Sequence, residues 1–315
     1  MRFGGFVLVL SCACGEVSDP NKLPDAPVQQ DGSNGDADID GPPVDAPPPR
    51  CDPAKPFGTP TPVVALNSPA NDLAPALSPD ELTLTFHSAR TGGLGGVDAY
   101  ISTRASTSDP WGAPSLIAGV NTTGNDGRPH MTADQLTIYF EYQVNANGTY
   151  DVVSSTRAST AVAFNAPTAV GPVNTTSDDT APYVLPDHSA MYLVNTRMLY
   201  RAARTGTTWG APVLVSGTNL QSGDFDYPVA TPDELTIYFS SSRSPTVGAS
   251  DIWVATRANV VTGFSAPVSV AALNTAASET PGWVSADNCV MYFARDVGAV
   301  GAAANYNIFR TEKPL

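Results

Sequence analysis

Short stretches of strict alternation between apolar and polar residues recur along the chain from about residue 57 to its end. Leu82, Leu84 and Phe86 alternate with threonines, and Leu235, Ile237 and Phe239 form the same comb further on. A period of two puts alternate side chains on opposite faces of a β-strand, so one face of each segment is predicted to be buried. The related segments read LTLTF, LTIYF, SAMYL, LTIYF and CVMYF, and no long stretch has helical spacing.

These strands belong to a larger unit present five times. Each copy opens aromatic-small-x-Pro, at Phe57, Trp111, Phe164, Trp209 and Phe264, with spacings of 54, 53, 45 and 55 residues. An asparagine follows at Asn67, Asn121, Asn174, Asn219 and Asn274, then a proline at Pro75, Pro129, Pro182, Pro228 and Pro281. A turn aspartate comes next, at Asp80, Asp134, Asp187, Asp233 and Asp287, and each copy ends in a strand closing with a base: DAYISTR, DVVSSTR, MLYRAAR, DIWVATR and NIFRTEK. A unit of about 50 residues with three or four short strands is one propeller blade, since a lone four-stranded sheet cannot bury both faces and a ring of them can.

The predicted fold is therefore all-β, a five-bladed β-propeller of four-stranded antiparallel blades over residues 57–315, with units near 57–110, 111–163, 164–208, 209–263 and 264–315. The order of strands leaves the fifth blade without an outer strand. Strand 60–66 is predicted to supply it by pairing with strand 307–313, which closes the ring without an open edge. Within the blades, Arg90 is expected to brace Asp98 and Arg243 to brace Asp251, and the Asn67 series is expected to occupy left-handed or capped turns.

Composition changes little of this and narrows the partners. Only 15% of residues are charged, with 26 Gly and 29 Pro, which suits short strands and tight turns. A net charge of −14 repels phosphate and argues against nucleic-acid binding. The N-terminus begins with Arg2, the apolar run Phe6 to Leu10 and small residues around a cysteine, the order of an export signal over residues 1–14. Residues 15–56 are rich in Asp and Pro and are expected to form an extended tether. Cys51 and Cys289 bracket the folded part. An exported compartment permits a bond between them, while Cys289 stands where other copies have Leu82, Leu136 and Leu235, which equally suits a buried thiol.

Two resemblances extend the reading. SPDELTLTFHSAR with DAYISTR, and TPDELTIYFSSSR with DIWVATR, resemble the PD40 (WD40-like) repeat of the TolB-like propeller family. That family's six blades and separate N-terminal domain are not matched here, so its partners do not carry over. Val9-Leu10-Ser11-Cys12 resembles a bacterial lipobox. The resemblance implies lipid attachment at Cys12 and, with Ala13 following, an extracytoplasmic protein anchored at the outer membrane.

Candidate chemistry gathers near the repeated prolines. Asp72, Asp126 and Asp179 sit three residues before theirs, and Asp226 and Glu279 occupy nearby positions. If these innermost strands line the channel, the carboxylates form a ring at one mouth that could hold a cation such as calcium or a basic peptide segment. Arg128, His130, Tyr183, Tyr227 and Trp283 break the repeat at the same place and are expected to face the channel or its rim. The reading preferred from these residues is a monomeric binding or scaffold module for a protein or envelope component, without a cofactor. The alternative is a glycan-active five-bladed hydrolase, with Asp126, Asp179 and Glu279 supplying acid and base and Tyr183 or Trp283 a sugar platform.

Overall fold

The computed structural model describes residues 48–143, 148–220, 224–299 and 302–315. Five antiparallel sheets stand around an axis, each with its innermost strand at the centre. Those inner strands are Asp72–Leu77, Asp126–Met131, Asp179–Val184, Phe225–Ala230 and Glu279–Val284. Each pairs with the second strand of its blade and that with the third, while two-residue outer strands complete the sheets.

The ring closes as the strand order requires. Thr61 and Pro62 pair antiparallel with Arg310 and Phe309, adding the N-terminal strand to the sheet made by the C-terminal end. The closure is longer than this short pairing. Gly58 N donates to Glu312 O at 2.8 Å and Val63 N to Ile308 O at 2.9 Å. The Asn67 side chain accepts from Ile308 N at 2.7 Å and donates to Ile308 O at 3.0 Å, imitating one more rung of the ladder.

That role explains most of the asparagine series. Asn121, Asn174 and Asn274 make the same two-point clamp on Ala99, Val152 and Ile252 of their blades. Of the five, Asn219 alone has a positive φ and takes the left-handed alternative, while the other four take the one in which the side chain bonds the backbone. The aromatic residue that opens each unit is explained as well. The terminal base of the third strand lies over it in all five copies, from Arg104 on Trp111 at 4.4 Å to Arg204 on Trp209 at 5.8 Å. A cation over a ring is attractive, and here it fastens each third strand to the outer strand that follows.

The folded body begins before residue 57. Cys51 is buried and disulfide-bonded to Cys289 across a sequence separation of 238 residues. Arg50 bonds Glu81 in the first blade and, through two nitrogens, Asp287 in the fifth. Asp52 N donates to Pro314 O and Lys313 Nζ to Pro53 O. The Pro-rich composition of residues 15–56 hid this segment, because its order comes from a disulfide and ion pairs and not from an apolar pattern. The export signal with Cys12, and most of the expected tether, lie outside the described residues.

Candidate functional site

Every inner strand has a bulge beside its repeated proline, and in the first four the residue before that proline takes a positive φ: Ala74, Arg128, Ala181 and Tyr227. A bulge re-aims side chains. Because two of the four are alanines, the conformation belongs to the blade and not to a site. The fifth blade carries Gly282 at the register position of Pro75, where an added Cβ would stand 2.4 Å from Pro75 O. The prolines and this close approach pinch the axis to a cavity of about 30 Å³, so the propeller has two separate mouths.

Of the expected ring of carboxylates, Asp226 lines a mouth and the other four do not. Asp72, Asp126, Asp179 and Glu279 are wholly buried, each turned back onto the loop that enters its strand. Asp72 accepts from Ser68 N and Oγ, Asp126 from Thr122 N and Oγ1, Asp179 from Thr175 N and Oγ1, and Glu279 from Thr275 N and Oγ1. A residue repeated in every blade meets a need of every blade, here the capping of amides left unpaired at the entering loop. The expected arginine braces change partners for the same reason. Arg90 pairs with Asp72 at 2.6 Å, and Asp98 accepts instead from Leu94 N and Gly95 N. In the fourth blade Phe225 takes the place of the acid, and Arg243 stacks on Phe225, Phe239 and Trp253 while Asp251 accepts from Val247 N and Gly248 N.

Asp126 differs from its counterparts in having, among the described residues, no cation or amide side chain like Arg90, Asn195 or Arg295. Burial raises its pKa to about 6, with the Thr122 hydrogen bonds opposing. A carboxyl whose folded pKa lies above its unfolded value weakens the fold as pH rises through that window and strengthens it as pH falls. Asp126→Asn is therefore expected to flatten the pH dependence of thermal stability between pH 4 and 6, by about 2–3 kcal/mol across the window, which melting curves at several pH values would measure.

The polar mouth is a cleft of about 720 Å³ at the starts of the inner strands. Its centre is Arg128, set across the axis by the bulge of the second blade. Arg128 Nη1 donates to Glu141 Oε2 at 2.9 Å and Nη2 to Asp226 Oδ2 at 2.9 Å, while the guanidinium lies 4.1 Å from the Tyr227 ring centre. Its backbone N donates to His87 Nδ1 at 2.9 Å. Glu141 Oε2 also accepts from Ala181 N, and burial pushes the Glu141 carboxyl above its usual range with Arg128 opposing. The Asp226 side chain is 40% exposed and opens to the cleft. Tyr150, Asp178, Arg197, Asp224 and Tyr306 stand around the rim.

The opposite mouth is an apolar funnel of about 390 Å³. Tyr183, Trp283 and His130 line it, His130 and Tyr183 packing with ring centres 4.6 Å apart. The five residues that break the repeat thus divide. Arg128 and Tyr227 face the polar mouth with Asp226, and His130, Tyr183 and Trp283 face the funnel. Sequence reasoning missed Glu141 and His87, because it followed the inner strands alone. Both sit on second strands at the register position that holds Val194, Ser240 and Ala294 in other blades, so the same search for a break in the repeat would have found them.

No family model matches the chain, and no curated protein matches it. Among solved structures it is similar to a GH43_1 enzyme from Xanthomonas citri complexed with xylotriose, at TM-score 0.56 and 13% identity, covering 80% of this chain and 88% of that one. It is also similar to the catalytic domain of a GH62 α-L-arabinofuranosidase from Coprinopsis cinerea, at TM-score 0.51 and 11% identity, covering 82% and 97%. A TolB-like protein from Agrobacterium tumefaciens superposes with TM-score 0.46 and 14% identity, covering 81% and 97%. At these identities the likeness to the two enzymes is one of fold alone.

Proposed function

We propose that the protein is a glycan-active propeller whose polar mouth binds a neutral oligosaccharide and cleaves a glycosidic bond. The observation that carries this reading is the convergence of two carboxylates from different blades, Glu141 and Asp226, on one guanidinium in an open cleft, both off the repeat pattern. Glycoside hydrolysis needs such a pair, one to protonate the leaving oxygen and one to act from the other face of the sugar, with separations of roughly 5 to 10 Å. In this reading Glu141, whose pKa burial raises, donates the proton. Asp226 acts as base or nucleophile, and Arg128 positions both. Tyr150, Tyr227 and Tyr306 offer aromatic faces and hydroxyls to a sugar.

The mouth carries Glu141, Asp178, Asp224 and Asp226 against Arg128 and Arg197. Uronate-rich or sulfated glycans should therefore bind at least tenfold more weakly than neutral ones on a glycan array. A reducing-sugar assay on the glycans that bind then tests cleavage. Specific binding without any cleavage would favour the other reading, a recognition module. One observation supports that reading too: Arg128 already holds both carboxylates, as in a site built to bind without turnover. We also propose, from the N-terminal residues, export and lipid attachment at Cys12. Incorporation of labelled fatty acid by the native protein and its loss in Cys12→Ser would test it.

A further inference from the structure

We infer that the apolar funnel is a second binding site, for a small neutral aromatic molecule carrying a hydroxyl. It lies at the other end of the pinched axis and does not depend on the glycan reading of the polar mouth. Its volume falls within the range of ligand pockets, roughly 300–1,000 Å³, and its make-up is that of such pockets, an apolar lining with few polar groups. Trp283 and Tyr183 line it from the fifth and third blades, together with Leu77, Met131 and Val284.

The charges at the rim are spent on one another. Arg50 bonds Glu81 at 2.7 Å and Asp287 at 3.0 Å, so a charged ligand would lose its hydration without gaining a free partner. The polar group left over is His130. It is 7% exposed, and neither Nδ1 nor Nε2 has a hydrogen-bond partner among the described residues. A buried donor or acceptor without a partner is costly, and a neutral imidazole carries one of each. The blade does not require a histidine there, for the same register position holds Ala76, Tyr183, Val229 and Trp283 elsewhere. His130 lines both the funnel and the axial cavity behind it, so rotation about its Cβ–Cγ bond turns a nitrogen toward the funnel. An aromatic ring between Tyr183 and Trp283 with its hydroxyl on that nitrogen satisfies both halves of the site.

The test is calorimetric titration of the full chain with p-cresol, and with 4-methylanisole, which has the same ring but no donor. Saturable one-to-one binding is expected, at least fivefold tighter for p-cresol. In His130→Phe that preference should vanish, and in Trp283→Leu both probes should bind at least fivefold more weakly. Absence of saturable p-cresol binding, or equal affinity of the native protein for the two probes, would overturn the inference. The comparison of probes on the native protein decides the matter even if a variant does not fold.

Discussion

A chain lacking residues 57–67 is expected to lose its cooperative melting transition altogether. The segment supplies the outer strand of the fifth blade, and with it Phe57 and Leu66, both buried. Burial of such side chains is worth about 1.5–3 kcal/mol each. The Asn67 clamp on Ile308 and the Lys313 contact to Phe57 go at the same time. The deletion also opens two edges in a ring in which every blade packs on its neighbours. Against a total stability of about 5–15 kcal/mol, typical of folded domains, these losses leave no stable ring. The disulfide is a graded version of the same experiment. Cys51→Ser with Cys289→Ser leaves the strand and removes only the cross-link, whose typical worth is about 2–5 kcal/mol, so that variant should still melt cooperatively at lower temperature. A deletion that melts like the native protein would remove the closing strand from the account.

Acid should unfold the protein through its buried histidines. Burial lowers the pKa of His87 to about 3 and of His130 to about 4, Arg128 adding to the effect at His87. His188 is lowered to about 4 by burial and Arg204, against Asp134 and Asp187, but it is only half-buried. The sign is fixed: a histidine whose folded pKa lies below the unfolded value near 6.5 contributes stability above pH 6.5 and loses it as pH falls toward the folded pKa. At about 1.4 kcal/mol per unit, His87 and His130 would each withdraw about 3 kcal/mol by pH 4. Asp126 works in the other direction over part of the same window and offsets roughly one of them. Stability should therefore fall by about 3 kcal/mol between pH 6.5 and 4, and His130→Phe should remove most of that fall. Denaturant midpoints at each pH would show it, and a flat profile would contradict the neutral, unpartnered state of His130.

Repetition carried most of what could be read from the sequence. Five copies of aromatic-small-x-Pro and of the turn aspartate sufficed for the blades, and the order of strands for the closing pair at Thr61 and Pro62. The same repetition misled where chemistry was concerned. Asp126, Asp179 and Glu279 looked like a mouthful of carboxylates because they recur, and they recur because each caps an entering loop. Single-copy residues carry the site. Glu141 was hidden by its place on a second strand, and its link to Asp226 runs through Arg128 across 98 residues of sequence, a distance that no local pattern spans. The order of residues 49–56 was hidden differently, since Arg50 and Cys51 are held by groups more than 230 positions away in sequence, Asp287 and Cys289.

The most direct test sets the off-repeat carboxylates against the repeated ones. Using a glycan that the array identifies, cleavage and thermal melting are measured for Glu141→Gln, Asp226→Asn and Asp179→Asn. The first two should melt within a few degrees of the native protein and lose cleavage at least a hundredfold. Asp179→Asn, which sets an amide against the donors of Thr175 and Asn195, should melt markedly lower while its folded fraction cleaves at the native rate. Cleavage that survives Glu141→Gln and Asp226→Asn, or disappears in folded Asp179→Asn, would contradict the assignment of the polar mouth.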